Sequence, residues 1–197
     1  LAAHGRRAAV VQLQGNLFFG TTDQLFSELE RDLGQLRFLL IDPNPLSIEL
    51  TWDVLAMMGA RSIRKCATSD RALAALRSDP FDIVITEWNT TPMNGLEFID
   101  FVRTSPMSPN RLMPILLMTA RSEEEYVVQA RDRGITEFLA KPFTVESLHR
   151  RLVSIVAHPR PFIDAEQYFG PDRRRRAGCP ARSAEASGSD PRGPTRT

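Results

Sequence analysis

The 197-residue sequence contains only two cysteines, Cys66 and Cys179, and no run of about 18 apolar residues. So few cysteines exclude a disulfide-stabilised scaffold and a cysteine-rich metal site. The lack of a long apolar run leaves no candidate for a membrane-spanning helix, and we expect a cytoplasmic protein. The three histidines lack metal-ligand spacing, and we expect His149 and His158 to face solvent. The net charge is only +1, which argues against nucleic-acid binding.

What the sequence does contain is a central region with a regular pattern. Residues 36–158 alternate strand and helix patterns five times, and this alternation predicts an α/β fold with a parallel sheet between two helical layers. Each predicted strand is a short apolar run. The predicted strands cover residues 38–41, 62–66, 82–86, 114–118 and 136–139.

The predicted helices have recognisable starts. Ser69 or Asp70 is expected to cap the second helix, and Thr144 the fifth. Ser122 and Glu125 have the spacing of a capping box, which predicts the start of the fourth helix.

The two flanking regions have different compositions. Residues 1–35 predict a small β-β-α piece that is too short to fold well alone. Residues 159–197 carry eight arginines and five acids with few large apolar residues, so we expect a largely disordered tail. Within the tail, Arg173 to Arg176 are either a solvated charge run or a contact for an acidic partner. Two apolar stretches, at 161–163 and 168–170, are suited to packing on the domain or on a partner.

Four polar residues lie at or just after the ends of predicted strands. They are Asp42, Glu87, Thr119 and Lys141. In an open α/β sheet, ligand-binding and catalytic groups gather beyond the carboxyl ends of the strands, so we expect these four side chains to meet. Two acids, a hydroxyl and an amine in one crevice indicate phosphoryl chemistry.

The central region resembles the receiver domain of two-component response regulators. The matching segments are residues 38–42, 81–89, 92–96, 114–120 and 134–143. The resemblance implies a flavodoxin-like, doubly wound (βα)5 fold with strand order 2-1-3-4-5. It also implies a signalling module that is not an enzyme in its own right.

The resemblance assigns roles to individual residues. The phosphoacceptor position falls on Glu87, the phosphoryl-binding hydroxyl on Thr119 and the phosphoryl-binding lysine on Lys141. Phe138 stands at the position of the aromatic residue that rotates on activation. Asp42 and the main-chain carbonyl of Asn89 would be the remaining Mg²⁺ ligands, in a residual metal site that we expect to be unoccupied.

Two departures from the receiver pattern affect this site. Pro43 stands where receivers have a second acid, so one metal-ligating carboxylate is missing. Glu87 is one methylene longer than aspartate, which moves the carboxylate by roughly 1 Å, enough to cost about a hundredfold in rate. Three interpretations remain open: Glu87 mimics the phosphorylated state, or is an eroded acceptor, or retains some acceptor activity.

A second resemblance covers residues 8–33, which are similar to the opening of a STAS domain in the run from Val10 to Leu25. The small-residue turn with a serine that follows in STAS domains is missing here. The sequence is therefore interpreted as a partial STAS-like segment, 1–35, a receiver domain, 36–158, and the arginine-rich tail, 159–197.

These observations predict a pseudo-receiver in phosphorelay signalling, acting by protein–protein interaction without an output domain of its own. The expected partners are a histidine kinase, a phosphotransferase or a downstream regulator. No cofactor is expected, apart from Mg²⁺ if the residual site still binds it. The alternatives are a phosphorylatable, Mg²⁺-dependent receiver and a STAS-type partner-binding scaffold.

Overall fold

The computed structural model describes residues 33–165 and 168–174. The N-terminal β-β-α piece was predicted almost wholly within residues 1–32 and lies outside the described residues. The central elements, in chain order, are β1 Arg37–Ile41, α1 Pro45–Met57, β2 Ser62–Cys66, α2 Ser69–Ser78, β3 Ile83–Thr86, α3 Gly95–Thr104, β4 Ile115–Thr119, α4 Glu124–Asp132, β5 Glu137–Ala140 and α5 Val145–Val156. Two further strands follow them, β6 Phe162–Ala165 and β7 Tyr168–Pro171.

The first five strands form one parallel sheet in the order β2-β1-β3-β4-β5. This order confirms the predicted doubly wound fold. Strands β3 and β4 are buried along their whole length because helices cover both faces of the sheet. The edge strand β2 is mostly exposed. Since all five strands are parallel, the residues that follow them lie at one edge of the sheet.

The core has two halves, one on each face of the sheet. Phe38 and Leu40 of β1 face a cluster that includes residues of α1 and α5. Leu39 and Ile41 face the opposite cluster, which includes residues of α2, α3 and α4. This split follows from the two-residue period of a strand, which sends successive side chains to opposite faces.

The helix caps agree only partly with the predictions. Thr144 caps α5 in a capping box with Ser147, as expected. Helix α2 instead begins after Thr68, and the Ser69 hydroxyl accepts a hydrogen bond from Met93 N, 3.0 Å away. The predicted capping box of α4 is also wrong, since that helix begins after Glu123 without a side-chain cap.

Part of the region predicted to be disordered is folded. Strands β6 and β7 pair as an antiparallel hairpin, pairing Phe162 with Pro171 at its open end and Ala165 with Tyr168 next to the turn. The Tyr168 hydroxyl donates to Pro171 O at 2.7 Å. The aromatic residues at 162, 168 and 169 lie in the two apolar stretches that were expected to pack on the domain or on a partner, and they supply the contacts that order the hairpin.

The hairpin packs on a buried arginine. Arg103, at the end of α3, is 1% exposed, and its Nε donates to Gly134 O at 2.9 Å. Its guanidinium lies 5.1 Å from the centre of the Phe162 ring, and that of Arg111 lies 4.0 Å from the Phe169 ring. Burial lowers the pKa of Arg103 to about 10, so the side chain keeps its charge at neutral pH. In the described part of the chain, the carbonyl oxygens of Gly134 and Arg111 and the face of the Phe162 ring contact this cation, and no carboxylate does.

Within the described part of the chain, none of the helices is both long and apolar enough to cross a membrane.

Candidate functional site

Asp42 is a buried acid that directly follows β1. Its side chain is 4% exposed, and Oδ1 accepts a hydrogen bond from Asn44 N at 2.8 Å. Its second oxygen, Oδ2, accepts from the Ser47 hydroxyl at 2.6 Å. Ser47 lies in the first turn of α1, so the strand-to-helix turn folds the chain around this carboxylate.

Glu87 follows β3, the strand beside β1. Its amide donates to Ile41 O at 2.8 Å, which continues the ladder between the two strands. The carboxylate turns back on the chain, and Oε1 accepts from Trp88 N at 2.7 Å. Gly95 lies so close that an added Cβ would be 2.5 Å from the Glu87 carbonyl oxygen. The backbone around Glu87 is thus held on both sides, and its second carboxylate oxygen, Oε2, faces Lys141.

Lys141 joins the two acids. Its Nζ lies 2.6 Å from Asp42 Oδ2, 2.6 Å from Glu87 Oε2 and 2.8 Å from Ser47 Oγ. An ammonium group has three N–H donors, so these three contacts use all of them. The peptide between Lys141 and Pro142 is cis. Lys141 is 17% exposed at its side chain, so the cluster is mostly shielded from water.

Among the contacts of the described residues, Thr119 and Phe138 take no part in the hydrogen bonds of this cluster. Thr119 is fully buried at the end of β4, and its hydroxyl accepts from Arg121 N at 3.2 Å. Phe138 is half-buried and packs against the core cluster on the α2–α4 face. The structure therefore brings Asp42, Glu87 and Lys141 into direct contact, whereas the Thr119 hydroxyl serves the following loop.

Ser47 is a further member of this cluster, and it was not among the residues expected at the site. It lies five positions after Asp42, in the first turn of α1, and bonds to both Asp42 and Lys141. The signal that could have found it is the helix start, because Asn44 caps α1 and places the next turn over the strand end.

An aromatic pair borders the site. Trp88 is 7% exposed and meets the Tyr126 ring edge-on, with ring centres 5.2 Å apart. The Arg121 guanidinium lies 5.0 Å from the Tyr126 ring and 5.9 Å from the Trp88 ring. These contacts tie the loop after β4 to the loop after β3. Nothing in the sequence pattern had singled out Tyr126 or Arg121 at this border.

The residues that would hold a metal ion are few. Asn89 and Pro43 are exposed, and no group of three or more histidine, cysteine, aspartate or glutamate residues in the described ranges is arranged to bind a metal. Asp42 and Glu87 supply two carboxylates, and the Lys141 ammonium already lies between them.

A doubly wound parallel sheet with two acids and a lysine at its carboxyl edge defines a receiver-type signalling domain. The chain belongs to the response regulator receiver domain family, whose family model matches residues 38–153. Receiver domains of this family work in two-component signalling and interact with histidine kinases, phosphotransferases or downstream regulators.

Individual relatives agree with this assignment. Chemotaxis protein CheY-3 of Vibrio cholerae is 25% identical over 120 residues, which span 61% of this chain and 91% of the relative. A probable chemotaxis protein CheY of Rhizobium etli is 26% identical over 121 residues, spanning 61% of this chain and 92% of the relative. The crystallised CheY4 of Vibrio cholerae is 26% identical with a TM-score of 0.56, over 61% of this chain and 98% of that one.

One solved neighbour holds a metal ion. The receiver domain of sensor histidine kinase PA1611 from Pseudomonas aeruginosa has magnesium coordinated in its active-site cleft. It is 22% identical with a TM-score of 0.54, over 60% of this chain and 94% of that one. At this identity the likeness concerns the fold alone.

Proposed function

We propose that this chain is a pseudo-receiver, which binds signalling partners without taking up a phosphoryl group. The observation that carries the proposal is the contact of one lysine with both acids. Lys141 Nζ lies 2.6 Å from Asp42 and 2.6 Å from Glu87, so the cation that would bind an incoming phosphoryl group is already neutralised.

The state of Glu87 supports this proposal. Both of its carboxylate oxygens are engaged, Oε1 by Trp88 N and Oε2 by Lys141 Nζ. Hydrogen bonds from an amide and an ammonium withdraw electron density from a nucleophile. Phosphoryl transfer relies on the in-line position of the attacking oxygen and on charge stabilisation. A carboxylate that is displaced and accepts a hydrogen bond at each oxygen supplies neither the in-line position nor the charge stabilisation.

The donor set for Mg²⁺ does not fit well either. Mg²⁺ requires near-octahedral oxygen ligands at about 2.0–2.1 Å. Pro43 offers no side-chain oxygen, and Asp42 Oδ2 already accepts from Ser47 and Lys141. A dication entering between the two acids would also lie close to the ammonium of Lys141, which repels it.

The same contact is the one that a phosphoryl mimic requires. Glu87 places a fixed negative charge against Lys141, and Lys141 adjoins β5, the strand that carries Phe138. If the carboxylate is a surrogate, Glu87→Gln changes the amide hydrogen exchange of residues 119–123 and 138–143. Unchanged exchange in both segments would show that Glu87 is an eroded acceptor.

Phosphoryl uptake is tested directly by mass. The intact protein is incubated with acetyl phosphate and Mg²⁺ and then weighed, and we expect no gain of about 80 Da, the mass of one phosphoryl group. The double variant Pro43→Asp with Glu87→Asp restores both acids of the receiver pattern and is the positive control. A gain in the unmodified protein that is lost in Glu87→Ala would overturn the proposal and favour a working receiver.

A further inference from the structure

An open cavity lies at the end of the sheet opposite the Lys141 cluster. It has a volume of about 570 Å³ and lies between the first residues of β1 and β2 and the loop that follows α2. Arg37 begins β1 and Asp42 follows its end, so the two sites are about 16 Å apart along the strand. The cavity is therefore separate from the phosphoryl-type site.

The strand register brings basic residues together in this cavity. Arg37 pairs with Ser62, and Leu39 pairs with Arg64 across the parallel strands β1 and β2. Residues two apart on a strand share a face, so Arg37 and Arg64 point to the same side of the sheet. Helix α2 lies on that side but ends at Ser78. This described helix therefore does not cover the strand starts, and Arg61 joins them from the turn before β2.

The charges of the cavity are unbalanced. Among the described residues of its lining, Asp79 is the one acid, and it pairs with Arg64. Asp82, just outside, accepts a hydrogen bond from the backbone N–H of Arg37 at 2.8 Å, which leaves that guanidinium uninvolved. In the part of the chain that the structure describes, the guanidiniums of Arg37 and Arg61 have no ion-pair partner.

We propose that this cavity binds a nucleoside diphosphate. Two unpaired guanidiniums suit two neighbouring phosphates, because the planar fork of arginine matches phosphate oxygens in pairs. Pro80 and the half-buried ring of Phe81 form an apolar side against which a base or ribose can pack. The cavity volume lies within the range of about 300–1,000 Å³ that is usual for small-molecule sites.

The test is calorimetric titration of the full chain with ADP at physiological ionic strength and without Mg²⁺. We expect saturable binding of one ADP, and pyrophosphate about tenfold weaker because it lacks the base and ribose. The double variant Arg37→Ala with Arg61→Ala should weaken ADP binding at least about tenfold. The contact between Arg37 and Asp82 uses the backbone and survives this change, and circular dichroism checks the fold.

The matched control is Arg131→Ala with Arg150→Ala, which removes two exposed charges on α4 and α5. This control should change ADP affinity by less than about twofold. An equal loss in both double variants would indicate only general charge attraction and would overturn the site. Absence of saturable ADP binding would do the same, and pyrophosphate binding as tight as ADP would overturn the assignment of a nucleoside. None of these readouts depends on Glu87, so a negative result here would leave the pseudo-receiver proposal untouched.

Discussion

At the scale of single residues, Lys141 decides the state of the site. Its ammonium separates two carboxylates whose side chains are only 4% and 11% exposed. Removing one partner from a buried ion pair leaves an uncompensated charge, which costs more than the pair contributes. The lysine is therefore expected to stabilise the fold as well as to define the site.

We expect Lys141→Met to lower the free energy of unfolding by about 2–4 kcal/mol. The matched control is Lys65→Met, which breaks the exposed pair with Glu49 and should cost at most about 1 kcal/mol. Both are measured by denaturant unfolding. Adding Glu87→Gln should recover part of the loss in Lys141→Met, since it removes one of the orphaned charges. Equal losses in the two lysine variants would contradict this account.

His149 gives the fold a dependence on pH. Its side chain was expected to face solvent, but the ring is half-buried on α5 and its Nε2 is buried. Burial lowers the pKa of His149, and the nearby Glu146 opposes this in part. The folded state therefore disfavours the protonated ring. The contribution of the neutral ring to folding stability is complete above the ordinary pKa of about 6.5, and it is lost as the pH falls below that value.

We accordingly expect the free energy of unfolding to fall between about pH 7 and about pH 5, and to fall less in His149→Gln than in the unmodified protein. Denaturant unfolding at both pH values measures the difference. His158→Gln is the matched substitution at an exposed histidine. If His149→Gln has the same pH dependence as the unmodified protein, the buried ring is not the source.

At the scale of elements, the β6–β7 hairpin extends the receiver fold at the end opposite the Lys141 cluster. Its attachment depends on a close approach at Gly134, where φ is 84° and an added Cβ would lie 2.6 Å from Phe169 O. Gly170 of β7 approaches the same residue, since its own added Cβ would lie 2.7 Å from Gly134 Cα. Two glycines are thus needed where the hairpin meets the turn before β5.

Gly134→Ala should therefore cost more than the same change at Gly59. Both glycines have a positive φ, 84° and 94°, which costs an alanine about 1–2 kcal/mol. Only the substitution at Gly134 also pushes the hairpin away. We therefore expect Gly134→Ala to lower the free energy of unfolding by about 1–2 kcal/mol more than Gly59→Ala, as for other overpacked contacts. Thermal unfolding compares the two variants. The same loss at both positions would show that the hairpin is not seated on Gly134 in solution.

At the scale of the whole molecule, the pseudo-receiver proposal predicts indifference to Mg²⁺. A ligand that binds only the folded state stabilises it by about 1.4 kcal/mol at ten times its Kd. We expect millimolar Mg²⁺ to leave the melting temperature of the unmodified protein unchanged, and to raise that of the variant with Pro43→Asp and Glu87→Asp. A saturable rise in the unmodified protein would favour the Mg²⁺-dependent alternative.

Most of the fold could be predicted from local pattern. The five apolar runs and the helix periods between them are set by nearby residues, and they predicted the parallel sheet. The strand order was implied by the resemblance to receiver domains. The starts of α2 and α4 were wrong because capping depends on which partner a hydroxyl finds. Ser69 bonds to Met93, 24 positions away, and no local spacing rule includes that contact.

By itself, the sequence determined that Asp42, Glu87 and Lys141 would lie at one edge of one sheet, because parallel strands end together. Only the tertiary structure decided that one ammonium is shared by both acids and by Ser47. The bond between Lys141 and Asp42 joins residues 99 positions apart. Whether two side chains so far apart in the sequence meet in space depends on the register and packing of every element between them. The same holds for the buried Arg103 under the hairpin and for the arginines at the far end of the sheet.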